Sequence, residues 1–424
     1  MTNELAGATE LLDAGDVPGT VRALRPLADA APLKDLAELV HRLATTVGFD
    51  DLATTARAAA RNPDRPQELY DFGYACVERG VPFLAVPALR EALRQLPGSR
   101  TLRAELVSAL ERENRHADAA AVLAAPGGEL PDWPERYLLV HNSLFAGDLP
   151  RARAAFERLS APDDAKWEWA HGRITDMLRR AETAAQAGPL GHRDLRGWHY
   201  TLTGGYLAML SPYGFDSPMT GRYAYLGDSF ELCRHGIDRL ALVLRTTGRT
   251  PRSVSLLPGR SDRILGLAAA QVLGLPTEPY DPQRTDTVVV AYDITAVEPD
   301  TAVTLRRRPD GQILFEHATC WTDPPIATAD VSTLLVQTVI RPWDPSMRMD
   351  ENGAEQVPAD DRPEPDIAAE IVRAEGTPDT GDGQTPPDGD AEFAAYVRAT
   401  SGGWATRPRD QVDSPGPVPS SRFA

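Results

Sequence analysis

The chain has 424 residues, enough for two or three domains, and 42% of them are apolar, so it can bury substantial cores. Its formal net charge of -17 disfavours binding to nucleic-acid backbones and anionic membrane surfaces. Cys76, Cys233 and Cys320 are far apart and form no C-x-x-C pair, so neither a disulfide framework nor a cysteine-rich metal site is expected. Without a signal-peptide pattern or a long apolar run, the sequence favours a cytoplasmic protein.

Residues that tolerate a left-handed turn recur at nearly constant intervals through the first 160 residues. The intervals are 33, 32, 34 and 33 residues, and a small residue follows each landmark five positions later. The landmarks are Gly15, Gly48, Gly80, Asn114 and Gly147, followed by Thr20, Ala53, Ala85, Ala119 and Ala152. A period near 34 residues with these landmarks predicts about five stacked helical hairpins.

The third copy, residues 69–99, carries the clearest pattern. Gly73 and Ala85 are expected where its two helices cross, because only small side chains let the backbones approach. The residues predicted to pack the repeats are Gly15, Gly48, Gly73, Gly80, Ala85, Leu89, Ala119, Gly147, Ala152 and Phe156. This pattern resembles the tetratricopeptide repeat family over about residues 4–160. The resemblance implies an all-α solenoid that binds a protein partner.

The next segment, residues 166–250, keeps a helical pattern but loses the 34-residue period. Helices are predicted over 174–188, 198–210 and 228–245, with a segment rich in Gly, Pro and Tyr between the last two. Asp216, Arg222 and Tyr225 in that segment are candidates for a ligand groove. The alternative is an ordered linker packed by its own tyrosines.

Residues 251–343 are predicted to form a small α/β domain. A strand at 253–259, a helix at 261–274 and a near-continuous β-branched run at 286–294 define a parallel βαβ unit. The following residues predict a hairpin that turns at Pro309–Gly311, because Ile313, Phe315 and His317 alternate after the turn. Residues 331–340 suit either a helix or a strand.

The loops that follow the two strands of the βαβ unit are candidate ligand sites, because ligands bind outside the carboxyl ends of parallel strands. Arg260 and Ser261 at a helix start suit an anion, and Asp293 and Thr295 follow the second strand. The order of these elements resembles, distantly, the type I phosphoribosyltransferases. Tyr292 replaces the first acid of that family's signature loop, and Glu298 lies in the phosphate cradle. The resemblance implies an inactive relative that binds a phosphorylated metabolite or nucleotide; an unrelated α/β domain is the alternative.

The last segment, residues 344–424, holds 17 acidic residues and seven arginines, with frequent Pro and Gly. Its few apolar residues predict a disordered acidic tail. The chain as a whole is therefore predicted to be multidomain: 1–165 helical repeats, 166–250 helical extension, 251–343 α/β domain and 344–424 tail.

The expected function is that of an adaptor or regulatory protein with a protein partner. The alternative is an α/β domain that senses or transforms a phosphorylated ligand. No catalytic residue, metal ligand set or cofactor is assigned, because the sequence has no H-E-x-x-H, G-x-S-x-G or P-loop pattern.

Overall fold

The computed structural model describes residues 5–125, 130–212, 215, 219–350, 353–376, 385–406 and 409–420. These residues divide into two compact units, Met1–His171 (unit 1) and Gly172–Phe423 (unit 2). No helix among the described residues is both long enough and apolar enough to span a bilayer.

Unit 1 is helical, and its described residues form five successive helical hairpins. The two helices of each hairpin pack on one another, and contacts of α4 with α5, α6 with α7 and α8 with α9 join neighbouring hairpins. The helices are α1 (Ala6–Asp13), α2 (Val17–Leu24), α3 (Leu33–Val47), α4 (Asp50–Arg61), α5 (Pro66–Glu78), α6 (Pro82–Gln95), α7 (Arg100–Arg112), α8 (His116–Ala124), α9 (Tyr137–Phe145) and α10 (Leu149–Phe156).

The turn of each hairpin falls on a landmark of the sequence repeat. The turn residues have φ angles of 79° (Gly15), 76° (Gly48), 74° (Gly80), 55° (Asn114) and 79° (Gly147). All lie in the left-handed region that glycine and asparagine tolerate best. The turns of the five hairpins thus coincide with the landmarks of the sequence repeat.

Small residues lie at the close contacts inside the hairpins, as predicted. A Cβ on Gly73 of α5 would stand 2.6 Å from Leu89 Cγ of α6, so the two helices approach too closely for a larger residue. Ala85, Leu89, Ala119 and Ala152 are fully buried. Phe156 is half-buried and stacks on His171 with ring centroids 5.7 Å apart.

Unit 2 is built on a seven-stranded parallel sheet with the order β1-β7-β6-β5-β3-β4, in which β2 also pairs with β7. Its strands are β1 (Tyr206–Leu207), β2 (Tyr223–Gly227), β3 (Ser253–Leu256), β4 (Thr277–Pro279), β5 (Thr287–Ala291), β6 (Gln312–Cys320) and β7 (Val331–Ile340), and β8 (Ser346–Asp350) pairs with β9 (Gly353–Val357) as a separate antiparallel ribbon.

Seven helices accompany these strands in the described sequence after residue 167. They are α11 (Glu168–Ala187), α12 (Leu195–Thr203), α13 (Phe230–Thr247), α14 (Arg260–Leu273), α15 (Pro299–Arg306), α16 (Glu364–Arg373) and α17 (Asp390–Thr400). Helix α13 contacts β6 and β7, and α14 contacts β3, β4 and β5. Strands β5 and β6 are buried along nearly their whole length, as expected for central strands of a covered parallel sheet.

The predicted parallel βαβ unit is confirmed, since β3 pairs with β5 in parallel and α14 lies between them in sequence. Residues 331–340 form strand β7. Two predictions nearby are wrong. The helix expected over 198–210 ends at Gly204, whose φ is 80°, and the chain then enters β1. The hairpin at Pro309–Gly311 is absent, because residues 299–306 form helix α15 and β6 runs parallel to both of its neighbours.

The prediction of a disordered acidic tail is also wrong for the described residues after 343. Helix α16 packs on α13 and α14, and α17 packs on α13. Their buried apolar residues include Ile367, Ile371, Phe393 and Val397, and Trp404 after α17 is also buried. Acidic residues of this segment form ion pairs with arginines elsewhere in unit 2. Asp388 pairs with Arg196 over 2.7 Å, and Glu364 pairs with Arg263 over 2.7 Å.

Candidate functional sites of the two units

The predicted anion loop at the start of α14 is exposed, but its two candidate side chains hydrogen-bond to their own chain. The Arg260 guanidinium donates to the backbone carbonyls of Asp360 (2.6 Å) and Arg362 (3.2 Å). The Ser261 hydroxyl accepts a hydrogen bond from the indole N–H of Trp343, 3.0 Å away. Both side chains therefore hold the segment that leads into α16.

The two candidate residues of the loop after β5, Asp293 and Thr295, hydrogen-bond to each other. Asp293 caps the short helical turn Ile294–Ala296 by accepting hydrogen bonds from the Thr295 backbone N–H (2.9 Å) and hydroxyl (2.5 Å).

Asp262 of α14 accepts a hydrogen bond from the Tyr292 N–H over 2.7 Å, and burial raises the pKa of Asp262 to about 6. Two acids, Asp262 and Asp293, therefore lie at the loop after β5, and the nearby Arg341, whose guanidinium is 5.0 Å from the Tyr292 ring, pairs with Asp344 over 3.2 Å. This pairing and the two acids disfavour phosphate.

Of the three groove candidates, Arg222 and Tyr225 lie in different environments. Arg222 is buried, donates to the carbonyls of Pro415 (3.2 Å) and Pro419 (3.2 Å), and lies over the Trp321 ring. Tyr225 on β2 is 62% exposed. Asp216 lies outside the described residues.

A cavity of about 70 Å³ lies inside unit 2 among α12, the ends of β6 and β7, and residues 412–415. Its wall is mostly apolar, with Leu195, Leu202, Leu335 and Val412 among the lining residues. Glu316, His199 and Arg222 supply polar groups. Its lining, apolar with a few polar groups, has the chemistry of a small-molecule site. Its volume is well below the roughly 300 to 1,000 Å³ of pockets for drug-sized ligands, so it suits only a very small molecule.

The electrostatics of this cavity centre on Glu316. Burial and the neighbouring Asp293 raise the pKa of Glu316 to about 8, although its carboxyl group accepts hydrogen bonds from Thr319 and from the Ile294 N–H. Burial and the Arg222 charge lower the pKa of His199 to about 4. Both side chains are therefore neutral at pH 7, and Nε2 of His199 has no hydrogen-bond partner among the described residues.

A second polar cluster lies in unit 2 where α13 meets the sheet, and it consists of Asp228, Cys233, Tyr292 and His317. Asp228 precedes the helix, which Ser229 caps by accepting from the Leu232 N–H. The Asp228 Oδ2 atom lies 3.0 Å from His317 Nε2, 3.3 Å from Cys233 Sγ and 2.6 Å from the Tyr292 hydroxyl. Cys233 Sγ lies 3.7 Å from His317 Nε2.

A close approach of helix to sheet places these side chains together. A Cβ on Gly236 of α13 would stand 2.6 Å from Thr333 Oγ1 and 3.1 Å from His317 Nδ1, so the helix backbone rests directly on β6 and β7. The side chains of Asp228 and His317 are both fully shielded from solvent. This shielding makes unmatched charge in the cluster costly.

The electrostatics of the cluster rule out a nucleophilic thiol. Burial and the adjacent Asp228 carboxylate raise the pKa of Cys233 well above its usual value. Burial also works against ionisation of Asp228, but His317 and Tyr292 outweigh it and lower the pKa of that carboxyl group. In a catalytic triad the acid and the nucleophile contact opposite nitrogens of the imidazole. Here both contact Nε2.

Unit 1 presents a pair of tyrosines on α5, of which Tyr74 is exposed and Tyr70 is half-buried. The rings of Tyr70 and Tyr74 stack with centroids 6.2 Å apart, and Tyr74 is 47% exposed. Burial, the Glu105 carboxylate, Tyr74 and Asp71 together raise the pKa of Tyr70. We refer to Tyr70, Asp71, Tyr74 and Glu105 as the tyrosine patch; it combines aromatic rings with negative charge.

A scan against models of known protein families and a search of curated proteins give no match.

The sequence interpretation missed the cavity and most of the polar cluster. The sequence pattern places Asp228 only at the start of a predicted helix and His317 only in an alternating strand. Cys233 and His317 are 84 residues apart, so no local spacing could connect them. The available signal was Asp228 immediately before the N-cap of α13 and Cys233 near the start of that helix, five residues apart.

Proposed function

We propose that the protein is a binding protein whose unit 1 holds a protein partner through the tyrosine patch. The observation that carries the proposal is the exposed Tyr74 ring, stacked on the half-buried Tyr70, on the third of five hairpins that share one turn geometry. The sequence likeness to tetratricopeptide repeats supports it, since helical repeats of that kind present helix faces to extended protein segments.

The chemistry of the patch indicates the kind of segment it would hold. Tyrosine rings attract cations over their faces, and the Glu105 and Asp71 carboxylates add negative charge beside them. Exposed tyrosine also contributes a large contact area at low entropic cost. A partner segment that carries arginine or lysine together with an apolar side chain fits these properties.

The test is selection from a displayed library of random peptides with the full chain as bait. We expect wild type to enrich peptides with arginine or lysine next to an apolar residue. The double variant Tyr70→Ala/Tyr74→Ala should bind the enriched peptides at least about tenfold more weakly, because central aromatic residues carry much of the energy of such interfaces.

The matched control is Tyr225→Ala, which removes an exposed tyrosine of unit 2. This variant should bind the selected peptides like wild type. Enrichment of no common motif, or equal loss of binding in the control and in the double variant, would contradict the proposal.

The cavity of unit 2 supports a second candidate function, the binding of a small uncharged molecule. Its apolar wall favours a ring or short alkyl group, and the neutral Glu316 and His199 side chains can hydrogen-bond one polar end. A phosphorylated ligand has no comparable support. The side chains predicted to bind it, those of Arg260, Ser261 and Asp293, are already hydrogen-bonded to groups of the same chain.

Phenol is a suitable probe because it combines a ring with one hydroxyl group. At a concentration 100-fold above its Kd, it should stabilise unit 2 by about 2.7 kcal/mol. The variant Ser332→Leu adds volume at the cavity wall and should abolish that stabilisation. An equal thermal shift in wild type and variant, or none in wild type at any concentration, would count against this function.

A further inference from the structure

The cluster at the start of α13 brings three different metal-binding atoms to one point. The Asp228 carboxylate, the Cys233 thiol and the His317 imidazole each offer one atom, and all three atoms lie within 4.8 Å of one another. The three separations are 3.0 Å from oxygen to nitrogen, 3.3 Å from oxygen to sulfur and 3.7 Å from nitrogen to sulfur.

These separations match those around a tetrahedral zinc ion. Bonds of about 2.0 to 2.3 Å at tetrahedral angles place neighbouring donor atoms about 3.3 to 3.6 Å apart. The observed distances deviate from this range by a few tenths of an ångström. Small side-chain rotations would therefore bring all three atoms to bonding distance.

The hydrogen bonds within the cluster are unevenly distributed: one carboxylate oxygen has three neighbours, whereas two other polar atoms have none in the described part of the chain. Asp228 Oδ2 has His317, Cys233 and Tyr292 as neighbours on one oxygen, while Nδ1 of His317 and the nearby Thr333 hydroxyl have no partner among the described residues. Because no group of the described residues donates a hydrogen bond to Nδ1, the imidazole can carry its proton on that nitrogen. The Nε2 lone pair is then free to face the other two donor atoms.

We propose that Asp228, Cys233 and His317 form a structural binding site for a divalent transition metal ion, with zinc the ion that fits the donor set best. Nitrogen and sulfur donors favour zinc over magnesium and calcium, which prefer oxygen alone. Binding converts the Cys233 thiol to a thiolate and releases one proton. The thiolate and the Asp228 carboxylate then balance the two positive charges of the ion.

The Tyr292 hydroxyl lies beside the proposed ion and hydrogen-bonds to one of its ligands, Asp228, over 2.6 Å. Such a contact orients the carboxylate, as groups around metal ligands commonly do. Three protein ligands leave the fourth tetrahedral position to a water molecule, and the complete burial of the Asp228 and His317 side chains keeps substrate from that position, so the ion has a structural role.

Cobalt substitution in the full-length chain without an affinity tag tests the site directly. The protein is unfolded with chelator, refolded with Co²⁺ and passed through a desalting column. We expect one Co²⁺ per chain and a thiolate-to-metal absorption band in the near ultraviolet, both displaced by one equivalent of Zn²⁺.

The variant Cys233→Ala should lose the band and weaken Zn²⁺ binding at least about 100-fold. The control Cys320→Ala, which removes a cysteine outside the cluster, should keep both. A refolded wild type with no stoichiometric metal and no band would overturn the proposal even if the variant fails to fold. A band that persists in Cys233→Ala would overturn it as well.

Discussion

The two units of this protein differ in where their charged side chains lie. In unit 1 the ion pairs lie mainly on the surface, as between Arg42 and Asp13, whose side chains are 41% and 60% exposed. In unit 2 several charged groups are buried, as between Arg308 and Asp330, whose side chains are 0% and 3% exposed. Unit 1 is thus held together mainly by apolar contacts between neighbouring helices, whereas unit 2 depends on specific long-range polar contacts.

The largest expected effect follows from removing a buried charge in unit 2. Asp330 accepts from Arg308 over 2.9 Å and from the Leu314 N–H over 2.9 Å, and Arg409 lies 3.5 Å away. Asp330→Ala leaves two arginines buried without their partner and should lower the free energy of unfolding of unit 2 by about 3 to 5 kcal/mol. Urea denaturation read from hydrogen exchange in β6 and β7 measures this.

The matched change in unit 1 is Asp13→Ala, which breaks an exposed pair. We expect a change within about 0.5 kcal/mol, measured in the same way on α1 and α3. If both substitutions have equal effects on their own units, the contrast between buried and surface charge is wrong.

A smaller effect is expected from helix packing in unit 1. Gly73→Val places a branched side chain where Leu89 already fills the space, and should cost about 1 to 3 kcal/mol. Gly98→Ala is the control, because a Cβ there meets no atom within 4 Å. Thermal unfolding of both variants is sufficient, and a tolerated Gly73→Val would show that α5 and α6 are farther apart than described.

The pH dependence of unit 2 gives a third, graded effect. The pKa of Glu316 is raised to about 8 in the folded state, so folding favours its protonated form. The resulting stability is complete below the unfolded pKa of about 4.5 and is lost as the pH rises through 8. Glu316→Gln mimics the protonated form, so the variant should gain stability relative to wild type between pH 5 and pH 9.

Differences in melting temperature between wild type and Glu316→Gln at several pH values isolate this group, because the other titrating residues are common to both proteins. A difference that stays constant from pH 5 to pH 9 would contradict the raised pKa.

The comparison also explains which parts of the fold the sequence could predict. The turn residues from Gly15 to Gly147 are local signals, because each needs only its own helix end to adopt a left-handed conformation. The buried run Thr287–Ala291 likewise identifies a central strand from its own composition.

Contacts between distant residues could not be predicted in this way. Arg260 was expected to bind an anion, but it donates to the carbonyl of Asp360, a residue 100 positions away. The acids of the last segment suggested disorder because their partners, such as Arg196 for Asp388, lie 192 residues earlier. Within the polar cluster, the sequence indicates only that Asp228 and Cys233 are close together. His317 lies on β6, and only the folded sheet brings it next to them.

The central claim is that unit 1 carries the partner-binding surface. Photo-crosslinking tests it with a benzophenone amino acid placed at Tyr74 in one full-length variant and at Tyr225 in another, each in a lysate of the source cells. These tyrosines are 47% and 62% exposed, so accessibility alone favours position 225. The account predicts a discrete adduct from position 74 that disappears in the Tyr70→Ala background. Adducts from position 225 and none from position 74 would contradict it.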